Sequence, residues 1–171
     1  MRRDRSAEAF DEFVAARGDA LWRSAFLLTG DRHVAEELVQ DALARCWPHW
    51  RRVTAGGDFE SYVRRVLFTT HTRRWRRRAG HAVAGDEVAW SKDRPASADG
   101  PDGVEQRRDL AVALQDLSAG QRAVVVLRWF EDLSVDETAR VLGVSSGTVK
   151  SQTARALAAL RRSTHLSEEV R

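Results

Sequence analysis

The sequence predicts an all-α protein built from two small helical domains joined by a flexible acidic linker. Three observations carry that expectation. Apolar residues recur at three- and four-residue steps over most of the chain, which is the period of a helix with one buried face. Two helix-start signatures stand ahead of apolar runs in the second half. Between the halves lies a stretch where the periodicity stops and glycine and proline collect.

Taken in order, Phe10, Phe13, Val14, Leu21, Trp22, Ala25, Phe26 and Leu28 predict one long or broken helix ending near Gly30. From Asp31 a second stripe, Ala35, Leu38, Val39, Ala42, Leu43, Cys46 and Trp47, runs until Pro48 helps to end it. Gly56-Gly57 marks a turn, after which Asp58 can cap a helix carrying Phe59, Tyr62, Val63, Val66 and Leu67 into a run of arginines. Residues 79–107 read as a linker in which Trp90 stands out as an aromatic. So little apolar surface there cannot offset the entropy of ordering, so disorder is expected in the free chain. Helices are expected to resume near Asp109. Ser118 with Gln121, and Ser134 with Glu137, both have capping-box spacing. The expected units are 1–78, a linker over 79–107, 108–165 and a tail over 166–171.

Composition excludes several classes. Of 171 residues 43% are hydrophobic and 31% charged, a globular balance, and no apolar run approaches a membrane span. A cytoplasmic location without membrane insertion is expected. Cys46 has no partner for an internal disulfide and reads as a buried structural thiol. His33, His49, His71, His81 and His165 lack ligand spacing, so neither a metal nor any cofactor is expected. No nucleophile–base set or phosphate-cradling glycine loop is present, so no catalytic residue is assigned. The net charge of +3 conceals a strong asymmetry. Residues 61–78 hold seven arginines and no acid, while residues 79–106 hold six acids and two bases. A dense cationic block beside an acidic one suggests a polyanion-binding face next to a segment kept off it.

Residues 134–162, SVDETARVLGVSSGTVKSQTARALAALRR, carry the most specific pattern. Ala139 is small where two helices must cross, Gly143 suits a left-handed turn, and Val144 and Val149 can wedge between the helices, with Leu157 and Leu160 continuing the buried face. That is a helix-turn-helix, whose second helix enters a major groove. Ser146 and Thr148 can bond phosphates at its start, and Lys150, Ser151, Gln152 and Arg155 can reach base edges or backbone. The alternative is a helical hairpin with a solvated polar face. Arg64, Arg65, Arg73, Arg74, Arg76, Arg77 and Arg78 surround Trp75 in the cationic block. Phosphate contact and stacking on unpaired bases would use such a set, while a solvated face and a core tryptophan are the plainer readings.

The segments AEELVQDALARCWPHW (35–50), ESYVRRVLFTTHTRRWRRR (60–78) and LSAGQRAVVVLRWFEDLSVDETARVLGVSSGTVKSQTARALAAL (117–160) resemble those of extracytoplasmic-function (ECF) sigma factors, in particular the actinobacterial SigE-like subgroup. The resemblance covers nearly the whole chain. It implies sigma region 2 followed by sigma region 4, core RNA polymerase (β′ clamp and β flap) and promoter DNA as partners, and an anti-sigma protein as a further one. By the same resemblance Glu36, Glu37, Gln40, Asp41 and Arg45 would dock on the clamp. Arg64, Arg65, Thr69 and the stretch Arg73 to Arg78, with Trp75, would melt and read the −10 element, and the helix-turn-helix would read −35. Thr69 stands where the family usually has Asn, Arg73 where many have an acid, and Gln152 where Arg is common. Two other functions compete: a regulator that binds operators without polymerase, which leaves 31–78 without a role, and a helical protein that only occupies polymerase.

Overall fold

The computed structural model describes residues 5–78 and 105–162, and among them there are helices and no strands. Eight α-helices follow one another: α1 (Arg5–Thr29), α2 (Arg32–Cys46), α3 (Trp50–Gly56), α4 (Phe59–Arg78), α5 (Glu105–Gln115), α6 (Ala119–Val125), α7 (Val135–Leu142) and α8 (Ser146–Arg162). The expected disorder of the linker and the placement of Trp90 lie outside the described residues. Helix α5 begins at Glu105, a turn ahead of the expected Asp109.

Local chemistry sets most of the boundaries. Gly30, at φ +68°, ends α1, because only a residue without Cβ takes that conformation cheaply. Asp31 then caps α2 by accepting from Val34 N. Pro48 falls in a 3₁₀ turn, Trp47–His49, that leads directly into α3. The short α3 is not apparent from periodicity. Its Trp50 is held by aromatic edges, with Phe59 at 4.5 Å and Phe10 at 5.3 Å between ring centroids. Asp58 accepts from Ser61 N at 3.0 Å, as expected of the α4 cap. Both capping boxes form, Ser118 with Gln121 and Ser134 with Glu137.

Helix α6 does not stop cleanly. Val126–Phe130 widens into a π turn, in which Glu131 N reaches back to Val126 O at 3.0 Å. That extra residue per turn leaves Trp129 and Phe130 about half exposed. Nothing in the apolar pattern announces it.

The two helical units, one in each half of the chain, also share buried contacts. Leu28, Leu38, Val63, Leu67 and Phe68 from the first half and Leu114, Leu117, Val124 and Leu127 from the second belong to a single buried cluster. Helix α5 packs on α1, and α7 packs on α4. Gly30 lies so close to Gln115 that a Cβ there would sit 2.5 Å from the Gln115 amide. Arg122 is buried, and its guanidinium donates to Leu114 O (2.9 Å), Leu117 O (3.1 Å) and, across the junction, Leu28 O (2.7 Å). Burial pushes its pKa down to about 10, so it keeps its charge at neutral pH.

Candidate nucleic-acid interface

The helix-turn-helix is built as the sequence suggested. Ala139 is buried at the crossing of α7 and α8, Gly143 takes φ 68°, and Val149 is fully buried in the wedge. The buried edge of α8 continues through Ala156, with Ala159 and Leu160 packed against it. Leu157 was expected on that edge, but it is half-exposed and lies outside the core cluster. From Val149, steps of three and four reach 156 and 160, and residue 157 is rotated one position off the stripe. Ser145 is the α8 cap, accepting from Thr148 N at 3.1 Å, a role not assigned from sequence. Its three-residue spacing from Thr148 was the available signal.

Two proposed phosphate ligands already have partners within the motif. Ser146 donates to Asp136 at 2.6 Å, and the Thr148 hydroxyl lies 2.9 Å from that of Ser145. Lys150, Ser151 and Arg155 are exposed, whereas Gln152 is half-buried at the flank of the helix. The fully open side of the first two turns is therefore cationic and polar, opposite Val149 and Ala156.

Helix α4 buries Phe59, Val63, Leu67, Phe68, Thr70 and Thr72, and exposes Arg65 and Arg73. Phe68 is among the largest fully buried side chains, although the stripe read from sequence passed it by. The Thr69 hydroxyl donates to Arg65 O at 2.8 Å within its own helix. Arg64 is turned inward to Glu60 and Glu131, and Arg74 bonds Asp41 at 3.1 Å. The helix includes residues 75–78, but the side chains of Trp75, Arg76, Arg77 and Arg78 lie outside the described residues.

On α2, Glu37, Gln40 and Arg45 are exposed, while Glu36 and Asp41 are half-buried in ion pairs. Arg32 pairs with Glu36 at 3.2 Å, and Arg45 with Asp41 at 3.3 Å. Asp41 therefore ties α2 to α4 through Arg74, a contact that helical spacing could not disclose. Cys46 is fully buried on the opposite side, and burial pushes its thiol up to about 12. No group of His, Cys, Asp and Glu suited to a metal ion occurs among the described residues.

Comparison with known proteins places these surfaces in a family. The model of Sigma-70 region 2 matches residues 13–80, and that of Sigma-70 region 4 matches residues 113–162. The RNA polymerase sigma-E factor of Streptomyces coelicolor is 42% identical, over 89% of this chain and 84% of its own length. The chain belongs to the ECF sigma factors. The ECF sigma factor SigL of Mycobacterium tuberculosis is 35% identical over 89% of the chain and 84% of its own length. Among solved structures, sigma factor RpoE in complex with the anti-sigma factor NepR from Bartonella quintana aligns with TM-score 0.62 and 27% identity. That alignment covers 96% of this chain and 99% of the other. As an alternative sigma factor, the protein directs promoter recognition and transcription initiation by RNA polymerase, a regulatory and DNA-recognition role. Among the described residues no helix is long and apolar enough to cross a membrane.

Proposed function

We propose that this sigma factor reads its −35 element with the first two turns of α8. The observation that carries the reading is the exposed strip Lys150, Ser151 and Arg155, set directly opposite the buried Val149 and Ala156. Gln152 borders the strip and is the side chain suited to bidentate contact with adenine, so it would supply base preference. Lys150 would contact both base and phosphate. Arg155, a turn further on, would anchor the backbone. Ser146 would assist at phosphates through its backbone N–H at the helix start and Thr148 through its hydroxyl, since the Thr148 N–H already donates to the Ser145 cap.

Transcription from a library of randomised −35 elements tests this assignment. Gln152→Ala should relax preference at one or two positions, by about 1–3 kcal/mol for a lost bidentate contact. Arg155→Ala should lower output without changing the preferred sequence. The opposite pattern would reverse the two roles.

The same reading assigns residues 1–78 to polymerase and −10 contact, 79–107 to a linker, 108–165 to −35 contact and 166–171 to a tail. Glu36, Glu37, Gln40, Asp41 and Arg45 would meet the β′ clamp, and the second unit would meet the β flap. Arg64, Arg65, Thr69, Arg73, Arg74, Trp75, Arg76, Arg77 and Arg78 would engage the −10 region. The protein would work in the cytoplasm without catalytic activity of its own, and an anti-sigma protein would be a partner, as it is for RpoE of Bartonella quintana.

A further inference from the structure

We infer that Asp41 is a positioning residue for promoter opening: its carboxylate, offered from α2, orients the Arg74 guanidinium of α4 for contact with a DNA phosphate of the −10 region. This rests on the −10 assignment of Arg74 proposed above. Asp41 stands between two arginines. One carboxylate oxygen takes Arg74 from α4 at 3.1 Å, and the other takes Arg45, a turn further along α2, at 3.3 Å. Leu38 and Ala42, on either side of Asp41 in α2, are buried, so the backbone between them is fixed against the core. With its backbone fixed and both oxygens engaged, the carboxylate has one orientation to offer.

Helix α4 cannot orient that arginine by itself. Residues 61–78 contain seven arginines and no acid, and the residues three and four away from Arg74 are Thr70, His71, Arg77 and Arg78. Arg64 finds an acid on its own helix, Glu60, at 3.3 Å, whereas Arg73 is exposed with no acid partner among the described residues. Arg74 stands between these cases. It is bound by an acid from another helix, yet 37% of its side chain stays exposed. Asp41 engages one terminal nitrogen of a guanidinium that has five N–H donors in a rigid fork, so donors remain for a phosphate.

The charge balance suits this role. A lone carboxylate beside a phosphate would repel it, but Arg45 leaves the triad of Arg45, Asp41 and Arg74 with a net positive charge. The phosphate therefore still meets a cation. A free arginine side chain must be immobilised when it binds, which weakens the contact about 3–10-fold, and Asp41 imposes most of that order before DNA arrives. The two effects of Asp41 on DNA have opposite signs. As a charge it weakens attraction to a polyanion, and as an orienting partner it strengthens one contact. Removing the charge while keeping the shape separates the two.

The test uses purified holoenzyme, so that any change in affinity for core polymerase stays out of the reading. The rate of open-complex formation on a duplex promoter is measured for wild type, Asp41→Asn, Arg74→Gln and the double variant, with helicity checked on each free chain. Arg74→Gln should slow opening about tenfold or more and lower the slope of its salt dependence by about one phosphate contact. Asp41→Asn should slow opening about 3–10-fold although it adds positive charge, and should leave the salt slope unchanged. In the Arg74→Gln background, Asp41→Asn should cause no further slowing, whereas a purely structural loss would persist there. Asp41→Glu keeps the charge and should recover most of the rate, which covers the case in which Asn loosens the packing of α2 on α4. Opening by Asp41→Asn as fast as wild type or faster would overturn the inference, and so would equal slowing with and without Arg74. Full activity of Arg74→Gln would instead overturn the −10 assignment of Arg74 on which the inference rests.

Discussion

Replacing Arg122 by Met removes a buried charge that three carbonyls share. The bonds to Leu28, Leu114 and Leu117 are 2.7, 2.9 and 3.1 Å long, and a hydrogen bond to a charged group contributes about 1.5–3 kcal/mol. Together they stabilise the fold by about 4–9 kcal/mol. Against this stands desolvation, which pushes the guanidinium from 12.5 to about 10 and so disfavours the charge by about 3 kcal/mol. Met fills most of the volume and carries no desolvation cost, but it leaves the three carbonyls without their donor. The net expectation is a loss of about 1–6 kcal/mol, a large part of the margin of an ordinary domain. Urea unfolding followed by circular dichroism at 222 nm would measure it. Arg122→Lys should fall between, because one ammonium cannot reach all three acceptors. If Arg122→Met stayed within about 1 kcal/mol of wild type, the guanidinium would not be a structural tie and the reasoning would fail.

Other expectations follow from single features. Glu37→Lys with Gln40→Ala, both exposed on α2, should weaken co-purification with core polymerase without altering helicity; Asp41 is a poorer probe, since its loss also frees Arg74 and Arg45. Alanine at Arg74, Arg76 and Arg77 together should impair transcription from duplex templates more than from pre-melted ones, and equal loss on both would refute a role in opening. The Cys46 thiol, with burial pushing its pKa up to about 12, should react with a thiol reagent at pH 8 far more slowly in the native chain than in urea. Hydrogen bonds from the Ser61 side chain and backbone hold Asp58 below its ordinary 3.8, and bonds from Ser134 hold Glu137 below 4.5. Both are depressed in the fold, so their contribution is present above those ordinary values and is lost as pH falls through the folded ones. Asp58→Asn and Glu137→Gln should therefore flatten the acid side of the stability profile, below about pH 4.

Much of this protein was legible residue by residue, wherever the causes are local. The caps at Asp58, Ser118 and Ser134, the helix end at Gly30, the left-handed Gly143 and the helix-turn-helix depend on chemistry within a few residues of chain. The sequence alone could therefore place α2, α4, α7 and α8 and mark the outward side chains Lys150, Ser151 and Arg155. It could not announce α3, whose Trp50 is held by Phe10 and Phe59 from two other helices, or the π turn, which follows no apolar period. Nor could it tell which charges face solvent. Arg64 and Asp41 occupy positions that read as outward, yet each pairs with a residue far away in sequence, Glu131 and Arg74. Helical spacing fixes the direction in which a side chain leaves its own axis, but what it meets there depends on how the helices pack. That is why Glu131 and Arg122 gave no sign of their role: their partners in the first half come from chain separated from them by the whole linker, and only the tertiary structure brings them together.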